Sequence, residues 1–96
     1  MATFGHPALA HWSLEPGLLY LNHGTVGATP RLVIEAQRKI CDEIEREPAR
    51  FQLRELATGQ AGAPPGPPRL RRAAAVVAEF VHARGEDLAF VDNATT

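Results

Sequence analysis

The feature that most constrains the fold is an apolar segment, Leu88–Val91, which lies near the end of the sequence between acidic and turn-forming residues. Such a short apolar run is typical of a buried β-strand. A buried strand needs hydrogen-bond partners, because each backbone group that is buried and unpaired costs about 1–3 kcal/mol. Leu18–Leu21 is a second short apolar run with strand character. We therefore expect one or two short strands, whose partners in a sheet lie outside this chain.

Three stretches of the chain have the apolar spacing of amphipathic helices. Thr29 precedes the first stretch at a capping position, and Pro30 suits its first turn. Pro48 disfavours helical geometry in the residue before it and ends this helix. Gly85 follows the third stretch, at a position that suits a left-handed C-terminal cap. The predicted helices are Pro30–Glu47, a shorter one at Arg50–Leu56, and Arg69–Arg84.

Residues 57–68 have no apolar period and contain four prolines. This composition favours an extended linker or a local insertion. Residues 1–18 have no sustained period either and are predicted to form an irregular arm. The expected organisation is therefore an arm at 1–18 and one region at 19–96, which the segment at 57–68 interrupts.

The charge balance excludes several classes of partner. The chain has 96 residues, with 10 basic and 11 acidic side chains and a formal charge of -1. No nucleic-acid or anionic-membrane partner is expected, because both require a basic surface. The single cysteine, Cys41, cannot form an internal disulfide, and we expect it to be partly buried and structural rather than reactive. With no signal-like start and no long apolar run, the expected location is the cytoplasm.

Three sequence blocks, taken in order, resemble the opening of class V aminotransferases, especially the isopenicillin N epimerase-like group. The blocks are Tyr20–Pro30, Arg46–Phe51 and Asp87–Thr96, and the resemblance extends from about Leu19 to the last residue. It implies an α/β parent fold, the amino-terminal part of the large domain of a pyridoxal-phosphate-dependent transferase. The chain itself is expected to be mainly α with one or two short strands. The resemblance also implies a homodimer in the complete enzyme.

The same resemblance implies that Ala94, Thr95 and Thr96 bind the phosphate of pyridoxal phosphate. In the family, this turn leads into a helix whose amino end holds that phosphate. The first turn of a helix offers free N–H groups and the positive end of the helix dipole, and threonine hydroxyls add donors. The alternative is an ordinary Asx turn or helix cap at Asn93.

The loop Asn22-His23-Gly24 resembles a family segment that lines the active site. His23 is either a polar or acid/base contact or simply a hydrogen-bonding loop residue. Arg50 resembles a residue at a subunit interface or active-site rim, although a surface charge beside an anchoring Phe51 is equally consistent with the sequence. The irregular spacing of the histidines gives no metal site.

No residue of the chain is assigned a catalytic role. Pyridoxal-phosphate chemistry requires a Schiff-base lysine and a carboxylate near the pyridine nitrogen, and the resemblance implies that both lie downstream. Lys39 is the only lysine, and it lies on the polar side of the first helix. We therefore expect part of an enzyme that acts on an amino acid as an epimerase, transaminase, desulfurase or lyase, inactive by itself. The alternative is a small helical interaction module without enzyme activity.

Overall fold

The computed structural model describes residues 4–57 and 61–95, and every regular element in them is helical. The chain divides into two units, Met1–Asp42 and Glu43–Thr96. We name the two α-helices α1 and α2. The elements in chain order are a 3₁₀ helix at His6–His11, α1 at Arg31–Arg46, a π-helix at Arg50–Leu56, α2 at Arg69–Phe80 and a second 3₁₀ helix at Gly85–Asp87.

The expectation of an α/β fold with one or two strands is wrong for the described residues, which contain no β-strand. Leu88 has extended backbone angles, but extended geometry becomes a strand only when a neighbouring strand supplies the ladder of hydrogen bonds. Instead, Arg71 Nη2 donates to the Gly85 carbonyl at 2.5 Å and to the Leu88 carbonyl at 2.6 Å. Leu21, in the other predicted strand, is 80% exposed. Both apolar runs are irregular segments.

Helix α1 matches its predicted bounds to within one residue at each end. Its first turn is closed by the Pro30 carbonyl, which accepts from the amides of Val33 and Ile34 at 3.1 Å. No residue of α1 is buried, so its apolar side is present in the sequence but largely uncovered in this chain. Cys41 is exposed, which contradicts the partly buried position expected for it.

The buried core consists of Phe51, Ala74 and Ala78 among the described residues, and it lies in the second unit. Ala74 and Ala78 are one helical turn apart on α2, so they occupy the same side of that helix. Phe51, on the π-helix, is 3% exposed, and the Arg69 guanidinium lies 4.8 Å from the centre of its ring. A cation over an aromatic face is an attractive pairing. Phe51 therefore anchors the π-helix in the core.

A network of ion pairs lies beside Phe51, and Glu55 is at the centre of this network. Glu55 is about 10% exposed in its side chain and accepts from Arg50 Nη1 at 2.5 Å, with Arg69 Nε 3.3 Å away. Arg50 also pairs with Glu47 at 2.5 Å, and Arg69 with Glu43 at 2.7 Å. The hydrogen bond and charge of Glu47, with a further contribution from Glu55, raise the pKa of Arg50 above its usual value. We call these five residues the ion-pair cluster.

The ion pair between Arg50 and Glu55 lies within the π-helix at Arg50–Leu56. Arg50 and Glu55 are five residues apart, which is the hydrogen-bonding interval of a π-helix, whereas an α-helix brings together residues three or four apart. The sequence predicted a helix here, and that prediction is confirmed. Its wider turn was not predicted, because the apolar pattern of so short a segment does not distinguish a π-helix from an α-helix.

Helix α2 ends four residues before the predicted end at Arg84, and the residue that terminates it is His82. His82 has a φ of 59°, in the left-handed region. The amide of Ala83 donates to the Ala78 carbonyl at 2.8 Å, and that of His82 donates to the Glu79 carbonyl at 3.2 Å. These two bonds form a Schellman motif, in which glycine is the preferred left-handed residue. The prediction that Gly85 caps this helix is therefore wrong.

We expect His82→Gly to stabilise the protein by about 0.5–1 kcal/mol, because a side chain in the left-handed region costs energy that glycine avoids. Urea denaturation followed by far-UV circular dichroism measures the change. His82→Ala is the matched control, since it removes the imidazole but keeps a Cβ at the strained position. If both variants gained the same stability, the imidazole and not the backbone would be responsible.

None of the helices in the described part of the chain has the length and apolar character needed to cross a membrane.

Candidate functional site

The predicted lining residues Asn22, His23 and Gly24 form a tight turn in the first unit. The carbonyl of Asn22 accepts from the amides of Thr25 and Val26, at 3.3 and 3.0 Å. A Cβ on Gly24 would meet nothing within 4 Å, and the φ of Gly24 is not in the left-handed region. The fold itself therefore does not require glycine at this position. Only a ligand or partner approaching the backbone would require it.

His23 stabilises the C-terminal end of this turn. Its Nδ1 accepts a hydrogen bond from the Ala28 amide at 3.3 Å, and its ring meets the Tyr20 ring edge-on with centroids 4.9 Å apart. Tyr20 in turn donates its hydroxyl hydrogen bond to the Val26 carbonyl. A neutral imidazole that accepts at Nδ1 carries its proton on Nε2. His23 is therefore a structural residue of the turn whose remaining polar group is a donor.

A cavity of about 370 Å³ lies beside this turn, formed by residues of the first unit alone. We call it the arm cavity. Its lining includes His23 but neither Asn22 nor Gly24, so only one of the three predicted lining residues lies on it. The sequence signal missed here is the spacing of three on the first 3₁₀ helix, because residues three apart share one face of such a helix. Those residues are His6 and Leu9; Trp12, which also lines the cavity, is the extended residue that follows the helix.

The predicted phosphate-binding segment lies in the second unit, directly after the apolar run Leu88–Val91. Asn93 Oδ1 accepts from the Thr95 amide at 2.9 Å, which is an Asx turn. Ala94 and Thr95 are exposed, and Thr96 lies outside the described residues. The same bond is the one made by an asparagine at a helix N-cap to the second helical residue. The described atoms are therefore compatible with a phosphate-binding helix start and equally with an ordinary Asx turn or helix cap at Asn93.

The residues present fit a phosphate group by donor type. No hydrogen bond within residues 4–57 and 61–95 engages the Ala94 amide, and Thr95 adds a hydroxyl beside it. Both are donors that phosphate oxygens accept. From Gly85 to Thr95 the sequence has three acidic residues, Glu86, Asp87 and Asp92, and no basic one. A dianion bound here therefore needs a compensating positive charge from another part of the protein.

Arg50 and Lys39, which were also considered from the sequence, do not line the arm cavity. Arg50 belongs to the ion-pair cluster beside the buried Phe51, where it contacts Glu47 and Glu55. Lys39 is exposed on α1, which agrees with the solvated position expected for it. Among the described residues, no three histidine, cysteine or carboxylate side chains are grouped as a metal site.

Comparison with known proteins gives no match, either to a protein-family model, to a curated protein or to a solved structure.

Proposed function

We propose that this chain is the amino-terminal part of a pyridoxal-phosphate-dependent enzyme that resembles class V aminotransferases and acts on an amino acid. The proposal is supported by the order of the three sequence blocks and by the Asx turn at Asn93, which lies in the third block. The helical architecture adds no support. A cytoplasmic location belongs to the same proposal and agrees with the single cysteine, Cys41.

The observation that carries the proposal is the Asx turn at Asn93. Its bond to the Thr95 amide is the one that an asparagine makes at a helix N-cap, and no hydrogen bond among the described residues engages the Ala94 amide. A helix start is a favourable place for a phosphate because its amides are unpaired and its dipole is positive there. In this proposal Ala94 and Thr95, with Thr96, bind the cofactor phosphate and orient the cofactor.

The chemistry on the substrate depends on residues beyond this chain. The cofactor, when bound, supplies an electron sink for the amino-acid carbon. Within the chain, His23 and its neighbours keep the turn at Asn22–Gly24 closed, and the open space over Gly24 permits close approach of cofactor or substrate. In this proposal no residue of the chain has a catalytic role.

The proposal predicts that the 96-residue chain, supplied with pyridoxal phosphate and amino acids, has no transaminase, epimerase or desulfurase activity. Lys39 is its only lysine and lies exposed on α1. Turnover assays with each class of substrate measure this, and Lys39→Ala is the control. Turnover by the chain that disappears in Lys39→Ala would contradict the prediction.

The positive test uses the product of the uninterrupted reading frame that contains this chain. We expect it to take up pyridoxal phosphate, seen as visible absorbance, and Thr95→Val to weaken cofactor affinity by about 10- to 100-fold through loss of a hydrogen bond to a charged oxygen. Thr29→Val, an exposed threonine before α1, is the matched control and should leave affinity unchanged. A reading frame that ends at Thr96, or a full product that binds no cofactor, overturns the proposal.

The second candidate function is a helical interaction module without enzyme activity. The observation that favours it is the uncovered apolar surface of α2, where Phe80 is 85% exposed and Val76 is exposed as well. Sedimentation and chemical denaturation of the dilute chain distinguish the two candidates. A monomer that unfolds cooperatively with more than about 5 kcal/mol would favour the module, because a part of a larger domain lacks many of its contacts.

A further inference from the structure

The arm cavity is suited to a small ligand. Its volume of about 370 Å³ is within the range of ligand-binding pockets, about 300–1,000 Å³. Most of its wall is apolar, with Leu9 and Leu18 beside the aromatic rings of Trp12 and Tyr20. Two imidazoles, those of His6 and His23, are the titratable groups on the wall besides the Tyr20 hydroxyl. An apolar wall with a few polar groups is typical of a small-molecule site.

The wall is held in place by hydrogen bonds from outside the cavity. Arg31, the first residue of α1, donates from Nη2 to the Trp12 carbonyl at 2.9 Å and from Nε to the Ser13 hydroxyl at 3.3 Å. Gly17 turns the chain with a φ of 83°, and the Leu18 amide donates to the Glu15 carbonyl at 3.1 Å. These bonds fix the backbone at Trp12 and at the turn from Glu15 to Leu18. The cavity is therefore partly formed before a ligand arrives, which lowers the entropic cost of binding.

The polar groups select the ligand chemistry. His23 accepts at Nδ1 from the Ala28 amide, so its neutral ring has an N–H donor at Nε2 and no second acceptor. The Tyr20 hydroxyl proton is already donated to the Val26 carbonyl. Among the described residues that line the cavity there is no aspartate or glutamate; Glu15 lines the adjoining cavity instead. Donors without carboxylates favour a ligand oxygen that is negatively charged.

We propose that the arm cavity binds a small aromatic carboxylate, with its ring between Trp12 and Tyr20 and its carboxylate toward the imidazoles of His23 and His6. Aromatic rings in edge-to-face or offset contact gain energy beyond the area that they bury. This site goes beyond the proposed cofactor function, because its residues belong to the first unit and neither Ala94 nor Thr95 lines it.

The test uses the fluorescence of Trp12, the only tryptophan of the chain, as a direct reporter of the cavity. Phenylacetate, with about ten non-hydrogen atoms, is titrated into the full chain, and a saturable change with a Kd of about 1 mM or below is expected. Two analogues serve as controls on the same protein. Benzyl alcohol lacks the carboxylate and cyclohexylacetate lacks the aromatic ring, and each should bind at least about fivefold more weakly.

Two variants test the location of the site. Ala8→Phe places a ring in the cavity without touching the buried core, and it should abolish the saturable change. His23→Phe removes the imidazole donor and should weaken binding about tenfold. His82→Gln, in the second unit, is the matched histidine control and should bind like the wild type.

Three outcomes overturn the proposal. One is the absence of a saturable change up to the solubility limit of phenylacetate in the wild-type chain, which needs no variant to be folded. Another is equal binding of benzyl alcohol, which would remove the role of the carboxylate. The third is unchanged binding by an Ala8→Phe variant whose circular dichroism matches the wild type, which would place the ligand elsewhere.

Discussion

Phe51→Ala is expected to remove most of the stability of the second unit. Phe51 is the one large side chain buried among the described residues, and Arg69 covers its ring. Truncating a buried phenylalanine costs about 3–5 kcal/mol, through lost transfer energy and the cavity left behind. Whole domains are stable by only about 5–15 kcal/mol, so we expect a far lower urea midpoint or no cooperative transition at all.

The matched control for this prediction is Phe80→Ala on α2. Phe80 is the same residue type but exposed, so its truncation should change the free energy of unfolding by less than about 0.5 kcal/mol. Both variants are compared by urea denaturation with circular dichroism. Equal losses from the two variants would show that Phe51 is not the anchor of the core, and would move that role to other apolar side chains of the chain.

Gly85→Ala is expected to destabilise the protein by about 1–3 kcal/mol, the usual cost of forcing an extra carbon into a packed contact. A Cβ on Gly85 would lie 2.9 Å from the Cα and 3.0 Å from the Cβ of Ala75 on α2. The obstructing atoms belong to a helix backbone and cannot rotate away. Moving Gly85 outward would also stretch the hydrogen bond from Arg71 to its carbonyl, now 2.5 Å. Thermal and urea denaturation measure the loss.

Two further variants make this prediction specific. Gly24→Ala is the matched control, because a Cβ there meets nothing within 4 Å and its φ is ordinary, so stability should be unchanged or rise by up to about 1 kcal/mol. Ala75→Gly in the Gly85→Ala background reopens part of the space and should recover some of the loss, a coupling that independent sites do not show. A Gly85→Ala variant as stable as wild type would contradict the close contact.

The turn at Asn22–Gly24 and the segment Ala94–Thr96 were singled out by the resemblance to class V aminotransferases, which gave no geometry for either. Gly24 does not have a positive φ in the structure. The sequence left two roles open for His23, a ligand contact or a hydrogen-bonding loop residue. Its bond to the Ala28 amide supports the loop role and does not exclude a ligand contact. The hydrogen bond from the Ala28 amide to His23 spans only five residues, but it depends on the geometry of the turn, which residue type alone does not specify.

The sequence by itself determined the positions of α1, the π-helix segment and the start of α2. Apolar spacing and the break at Pro48 act within a few residues, so they can be interpreted without knowing the rest of the fold. The first 3₁₀ helix at His6–His11 was not predicted, because residues 1–18 have no sustained apolar period.

Only the tertiary structure decided which apolar segments are covered and how the helices end. Leu88–Val91 has the composition of a strand, but a strand is a relation between two segments, and the described residues provide no second one. His82 rather than Gly85 takes the left-handed position, and Gly85 lies where an added Cβ would be 2.9 Å from the Cα of Ala75. Arg69 Nε likewise lies 3.3 Å from a carboxylate oxygen of Glu55, a contact between residues that are distant in sequence. Long-range contacts such as these have no signature in local composition.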